Sequence, residues 1–254
     1  MGSEEHILKQ PSLGTSFTLG RVVDLVILGL LLPVLVIAAV LVAFLIYLDS
    51  GGGVIYRTRR VGLGGRPFWM LKFRTMRAGA AGASLTAARD ERITPLGRFL
   101  RSSRLDELPQ LWNVLRGEMR LVGPRPELEE FVTMYAREYQ EILSVPPGIA
   151  GHTQLQFAQV ESTLLEGKDA ESYYARELMP RKVALDLDYV RTRNALGDLR
   201  ILAATLLLPL KAFADRLGSG WSQQTRSART WLVLTGAVAI TLPLLFVLAS
   251  GPAR

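Results

Sequence analysis

Residues 101–126 read RSSRLDELPQLWNVLRGEMRLVGPRP, and the rest of the chain is arranged around them. Two adjacent carboxylates, Asp106 and Glu107, stand between two sets of arginines. Arg98, Arg101 and Arg104 lie upstream, and Arg116, Arg120 and Arg125 downstream. Leu108, Leu111, Trp112 and Leu115 follow the carboxylates with the spacing of a short apolar helix face. A turn at Gly117, a strand-like Arg120-Leu121-Val122 and a rigid Gly123-Pro124-Arg125-Pro126 complete the stretch. Acid beside base beside a proline-locked loop suits phosphoryl transfer. A carboxylate can attack phosphorus or hold a divalent cation, and arginine clamps phosphate oxygens in bidentate fashion. A structural reading stands beside this one. Ser103-x-x-Asp106 fits a capping box, and carboxylates in a first helical turn favour the positive end of the dipole. The two are compatible, because a helix N-terminus also attracts phosphate.

Outward from this stretch, the 254 residues suffice for one catalytic domain plus membrane segments. Hydrophobic residues make up 49% and charged residues 21%, so the apolar residues must be concentrated, and they are, near both ends. A net charge of +7 admits nucleic acid, anionic lipid or phosphorylated substrates as partners. No zinc finger, RNP-like motif or long basic helix is present, which argues against nucleic acid. The absence of cysteine excludes disulfides, thiol catalysis and thiolate-bound metal. His6 and His152 lie far apart, so a histidine zinc site is not expected. No P-loop pattern suggests an NTPase.

Residues 1–20 read as a polar tail. Residues 21–50 form a membrane helix: no charge occurs from Leu25 to Leu48, more than the roughly 20 residues that cross a bilayer. Pro33 predicts a kink. The basic residues after it (Arg57, Arg59, Arg60, Arg66, Lys72, Arg74, Arg77) belong on the cytoplasmic side. Val54–Val61 and Phe68–Phe73 read as strands around a turn at Gly62–Gly65, a basic hairpin near the membrane surface. Ala78–Ser84 reads as a flexible loop. Thr94-Pro95 starts a helix that carries Arg98 and Arg101 on one side, with Arg98 and Arg104 equally able to face solvent or lipid. An amphipathic helix is expected from Glu127 to about Leu143. Two helices broken near Pro180 are expected between Asp169 and Asn194. Asp186 and Asp188 read there as solvated carboxylates rather than metal ligands. Leu199–Phe213 suits a helix lying in the interface. Residues 214–229 read as a linker, and residues 230–251 as a C-terminal transmembrane helix whose end lies outside.

The chain resembles the bacterial sugar transferase family, the monotopic polyprenyl-phosphate hexose-1-phosphate (phosphoglycosyl) transferases. Leu105-Asp106-Glu107-Leu108-Pro109-Gln110-Leu111, Asn113-Val114-Leu115 and Leu121-Val122-Gly123-Pro124-Arg125-Pro126 carry the likeness. So do Arg60-Val61-Gly62, Lys72-Phe73-Arg74-Thr75-Met76, Asp90-x-Arg92-Ile93-Thr94-x-x-Gly97 and Pro147-Gly148-Ile149-x-Gly151. They fall in the family's order from about Arg21 to about Leu208.

The resemblance implies transfer of a sugar-1-phosphate from a UDP-sugar to polyprenyl (undecaprenyl) phosphate with release of UMP. This is the first step of exopolysaccharide, O-antigen, capsule or glycoprotein glycan assembly, at the bacterial inner membrane with the catalytic domain in the cytoplasm. It implies Asp106 as nucleophile and Mg²⁺ held by Glu107. Lys72, Arg74, Arg101, Pro124, Arg125 and Pro126 are implied around the donor's phosphates and nucleotide. It also implies a first helix that is re-entrant, breaking at a Ser-Pro pair, although Leu32 precedes Pro33 here and a spanning helix stays open. An arginine expected after Gly151 is replaced by Gln154-Leu155-Gln156-Phe157, which leaves Arg176, Arg181 or Lys182 to take its place. The fold expected is α/β (α+β), a helix-rich, membrane-seated catalytic domain over residues 51–213. A homo-oligomer is open. A non-catalytic, lipid-binding assembly protein is the alternative function. A two-carboxylate glycosidase ranks last, because adjacent carboxylates do not readily flank a sugar ring.

Overall fold

A computed structural model describes residues 15–205 and 207, apart from 78, 80–85, 88–89, 158–160 and 166–168. The expected C-terminal membrane helix, the linker before it and nearly all of the Ala78–Ser84 loop lie outside the described residues. The compact unit described belongs to Met1–Ala212.

Helix α1 runs from Thr15 to Ser50, 36 residues with Pro33 inside. Its stretch Gly20–Ser50 is long and apolar enough to cross a membrane. Most of its middle is exposed, with Leu30 at 77% and Val40 at 63%, as expected of a segment whose solvent is lipid. Both ends are anchored to the folded domain. Near the start, Arg21 donates to the carbonyls of Val114 and Leu115. Asp24 is buried against Arg120, whose Nε lies 2.8 Å from Oδ2. The Arg120 guanidinium stacks so closely on Gly20 that a Cβ there would come within 2.5 Å of Nη2. Breaking a buried pair of this kind by removing one partner typically costs about 3–5 kcal/mol. Near the other end, Val42 and Ile46 pack with Phe73 and Leu100, and Arg74 donates to Ser50 Oγ at 2.9 Å and to the Gly51 carbonyl.

The expected hairpin is present. β1 (Ile55–Val61) and β2 (Pro67–Phe73) pair antiparallel, Tyr56 opposite Lys72 and Arg60 opposite Phe68. A short 3₁₀ turn at Leu63–Gly65 joins them. Helix α2 (Pro95–Ser103) starts where predicted: the Gly97 N–H donates to Thr94 Oγ1 at 2.9 Å, and proline takes the first turn. Gly97 lies directly on the Thr75 backbone, where a Cβ would overlap the carbonyl. Helix α3 (Gln110–Arg116) follows a 3₁₀ turn at Leu105–Glu107 and ends at Gly117, φ +80°. Its core face differs from the apolar pattern. Gln110, Asn113 and Val114 are buried, whereas Trp112 (57%) and Leu115 (38%) face outward. The buried Asn113 amide explains this. It accepts from the Leu71 N–H (3.0 Å) and donates to the Trp69 carbonyl (2.8 Å), so it binds α3 to β2 as an added strand residue would.

β3 (Arg120–Val122) pairs in parallel with β4 (Gly148–Ala150). Gly123 and Gly148 meet backbone to backbone, so neither has room for a side chain. The amphipathic helix expected over Glu127–Leu143 is two helices, α4 (Glu129–Met134) and α5 (Ala136–Ile142), parted at Tyr135. α6 (His152–Phe157), α7 (Glu161–Leu164) and α8 (Ala170–Tyr173) follow. The helical ladder then passes through a π-helical turn at Tyr174–Leu178 into α9 (Met179–Thr192). Pro180 does not break it. It is the second residue of α9, directly after the π-helical turn in which the Met179 N–H reaches back to the Tyr174 carbonyl. A further helical segment covers 195–205, with Ile201 buried and Leu196 and Leu199 exposed. The result is the mixed, helix-rich α+β domain that the sequence led us to expect, with one apolar N-terminal helix.

Candidate active site

α2 ends on Arg104, whose φ of +59° is left-handed, a conformation that costs a non-glycine residue roughly 1 kcal/mol or more. That residue turns the chain between α2 and the 3₁₀ turn that carries Asp106 and Glu107. The capping box expected of Ser103 is not formed. Ser103 lies inside α2 and its hydroxyl donates to the Phe99 and Leu100 carbonyls (2.8 and 3.2 Å).

The two carboxylates are only 8% and 7% exposed. Glu107 is the better paired. Arg104 grips its Oε2. On Oε1 stand Lys72 Nζ at 3.4 Å and both terminal nitrogens of Arg125 at 3.3 Å. Burial alone would raise its pKa, but Arg104, Arg125 and Lys72 outweigh burial and hold it well below the usual carboxylate range. Asp106 differs. Burial pushes its pKa up, Lys72 opposes this, and the neighbouring Glu107 charge adds to it. Side-by-side carboxylates are thus driven apart in acidity, the pattern that assigns separate roles. Lys72 is itself lowered by burial, with Glu107 acting in the other direction.

Arg101 donates from Nε to Thr75 Oγ1 at 2.8 Å, and its charge acts on Asp106. The site therefore sets four cations, Lys72, Arg101, Arg104 and Arg125, around two carboxylates, a surplus suited to a dianionic ligand. Of the residues the sequence put forward, Lys72, Arg101, Asp106, Glu107 and Arg125 come together, with Pro124 and Pro126 flanking Arg125. Arg74 does not join them; it is spent on the C-terminal end of α1. Arg104, read as solvent- or lipid-facing, is instead a direct partner of Glu107. Arg98 is exposed.

Two further expectations are corrected. Lys182 does not reach out to replace a phosphate-binding arginine. It is 2% exposed and sits between Glu127 (3.0 Å) and Glu161 (3.1 Å), bonded also to Tyr174. Asp186 is not solvated: it is buried, accepts from Thr153 Oγ1 at 2.6 Å, and its pKa is pushed up to about 7 by burial. Asp188, by contrast, is exposed as expected.

For Mg²⁺, no cluster of three acidic or imidazole side chains forms among the described residues, so no cage made by protein alone is offered. The donor set fits the sparser mode in which one or two carboxylates share the cation with substrate phosphates. Oε1 of Glu107 carries only contacts of 3.3–3.4 Å, long enough to be exchanged.

An apolar helix long enough to cross a membrane is thus anchored near both ends on an α+β domain, with two buried carboxylates under a crown of cations. The family profile described as bacterial sugar transferase matches residues 15–212, and the chain belongs to that family. It is 37% identical over 191 residues to the UDP-glucose:undecaprenyl-phosphate glucose-1-phosphate transferase of Caulobacter vibrioides, covering 73% of this chain and 67% of that one. It is 33% identical over 215 residues to the protein of that name in Escherichia coli, covering 81% and 42%. It is 36% identical over 181 residues to the UDP-N-acetylgalactosamine-undecaprenyl-phosphate N-acetylgalactosaminephosphotransferase of Aeromonas hydrophila, covering 68% and 39%. The chain thus spans two thirds of the first of these relatives and about two fifths of the other two.

Proposed function

We propose that this protein transfers a sugar-1-phosphate from a UDP-sugar to undecaprenyl phosphate and releases UMP, beginning the assembly of a polysaccharide or other glycan. The observation that carries the reading is the carboxylate pair. Asp106 and Glu107 lie side by side and buried; Glu107 is held by Arg104, Lys72 and Arg125, and Asp106 beside it serves as the nucleophile.

In this scheme an oxygen of Asp106 attacks the sugar-linked phosphorus of the donor. The bond from that phosphorus to the bridging oxygen breaks, and UMP leaves with the electron pair. The product is an aspartyl phosphosugar. An oxygen of undecaprenyl phosphate then attacks the same phosphorus. The Asp106–phosphorus bond breaks, the carboxylate returns and the lipid diphosphate sugar departs. Lys72, Arg101 and Arg125 hold the phosphate oxygens in line and meet the charge that gathers on them. Mg²⁺, held by Glu107 and the donor's phosphates, would supply further neutralisation of the diphosphate. One carboxylate serving two displacements gives ping-pong kinetics.

The membrane part serves the acceptor. Both ends of α1 are tied to one folded domain, through Asp24–Arg120 and through Ser50 and Gly51 to Arg74. A helix so held and apolar between its ends favours entry into and return from the same leaflet, and Pro33 is where its ladder lacks a hydrogen bond. The exposed Arg57, Arg59, Arg66 and Arg77 favour a cytoplasmic catalytic face. Trp69, Trp112 and Leu115, all exposed, suit the headgroup level.

The test is UMP release by the full chain in nanodiscs with Mg²⁺ and undecaprenyl phosphate, across UDP-glucose, UDP-galactose and UDP-N-acetylgalactosamine. Release that needs the lipid and disappears in Asp106→Asn is the expected outcome. Equal release by that variant would end the proposal.

A further inference from the structure

Directly after the Pro124-Arg125-Pro126 loop lies a buried charged cluster that the transfer scheme does not use. Glu127 is its centre, 4% exposed. Tyr174 Oη donates to Glu127 Oε1 at 2.8 Å, Lys182 Nζ stands 3.0 Å from the same atom, and Arg60 Nη1 donates to Oε2 at 3.3 Å. The Glu127 carbonyl accepts from the Val61 N–H of β1 at 3.1 Å. At the loop's other end, Gly123 N–H donates to the Ala150 carbonyl (2.9 Å) and Pro124 accepts from the Gly148 N–H (2.8 Å). Arg125 is thus suspended between two pins, with a proline of fixed φ on either side.

The cluster is built with some effort. Tyr174 opens the π-helical turn, a rare element that recurs at functional sites. Lys182 Nζ also lies 4.5 Å from the centre of the Tyr174 ring. The charges of Glu161 and Glu127 act on Arg125 alongside that of Glu107. Arg125 therefore feels three carboxylates, and Lys182 answers two of them, Glu127 and Glu161.

We infer that Glu127 is a positioning residue: neutralised by Lys182 and fixed by Tyr174, it holds the loop so that Arg125 faces Glu107 and the donor's phosphates. Without the Lys182 charge, Glu127 keeps the attraction of Arg60 and of Arg125 and draws Arg125 off the donor. The inference rests on the proposed role of Arg125 in holding the donor.

The experiment is a double-mutant cycle on the full chain in nanodiscs, using whichever of the three UDP-sugars above is turned over best. Lys182→Met is expected to raise the donor KM by about 10- to 100-fold with little change in kcat, the size typical of lost support behind a binding group. In an Arg125→Ala background the same substitution should change KM less than about twofold, since nothing is left to misplace. Tyr174→Phe, which keeps the ring, should act in the same direction more weakly and serves if Lys182→Met does not fold. Equal effects with and without Arg125, or wild-type KM in Tyr174→Phe and Lys182→Met, would overturn the inference while leaving the transfer reaction intact. An Arg125→Ala enzyme with unchanged donor KM would instead show that the assigned role of Arg125 is wrong, and the inference would fall with it.

Discussion

Arg104 and Glu107 are joined twice: the Glu107 N–H donates to the Arg104 carbonyl at 3.2 Å, and the Arg104 guanidinium grips the Glu107 carboxylate. One residue thus both turns the chain into the site and holds the acid that the turn delivers. The left-handed φ of Arg104 allows these roles to be separated. Glycine adopts that conformation without penalty, so Arg104→Gly removes the grip and keeps the turn. We expect a loss of about 10- to 100-fold in kcat/KM with a melting temperature within a few degrees of wild type. Wild-type turnover in Arg104→Gly would show that the grip is ornamental.

In the proposed scheme Asp106 must be ionised to attack phosphorus. Its pKa is raised above the ordinary 3.8, first by burial and then, against the pull of Lys72, by Glu107. The rate should therefore fall on the acid side through a midpoint above 3.8. Lys72 lowers that pKa, so Lys72→Met should move the midpoint upward as well as slow the enzyme. A pH profile of kcat/KM for both proteins checks this, and an unmoved midpoint in the variant would count against the pairing.

The topology of α1 is open to direct labelling because the chain has no cysteine. A single Ser16→Cys substitution reports the side reached by the N-terminal end. A membrane-impermeant maleimide added to intact cells should leave it unlabelled, with labelling only after lysis. Labelling in intact cells would establish a spanning helix and remove the argument from the two anchored ends.

Asp186 supplies a stability prediction with a definite sign. Its folded pKa is about 7 against an ordinary 3.8, so the folded state keeps a proton that the unfolded chain gives up. Between those values stability falls as pH rises, and above about 7 the loss is complete. An asparagine side chain in its place would not titrate and could still accept from the Thr153 hydroxyl. The melting temperature of Asp186→Asn minus that of wild type should grow from about pH 4 to about 7 and then level off. Parallel curves would refute it.

Much of the candidate site was legible in the order of residues. The adjacent carboxylates, Lys72 and Arg125 stand in motifs that resemblance made readable, and the structure brings them within a few ångströms of one another. Thr94-Pro95 marked the start of α2 because capping is local chemistry. Arg104 was not legible. No sequence rule places a non-glycine residue at positive φ, and without that turn its side chain has no reason to meet Glu107. Lys182 and Asp186 were misread for another reason. Both lie on the helical face of the buried Met179, Val183 and Tyr189, but charge alone reads as exposure, and only packing supplies the partners Glu127 and Thr153 that let them be buried.

By itself, then, the sequence determined the apolar helix, the basic hairpin, the start of α2 and the side-by-side placing of the two carboxylates. These depend on composition and on neighbours within one turn of chain. Tertiary structure alone decided which cations take which carboxylate oxygen, that both ends of α1 hold to one domain, and that a charged cluster stands behind Arg125. Asp24 and Arg120 are 96 residues apart, and Glu127 and Lys182 meet only through packing of separate elements. Burial at those meetings turns ordinary charges into specific partners, because a charge removed from water must find its complement within the fold.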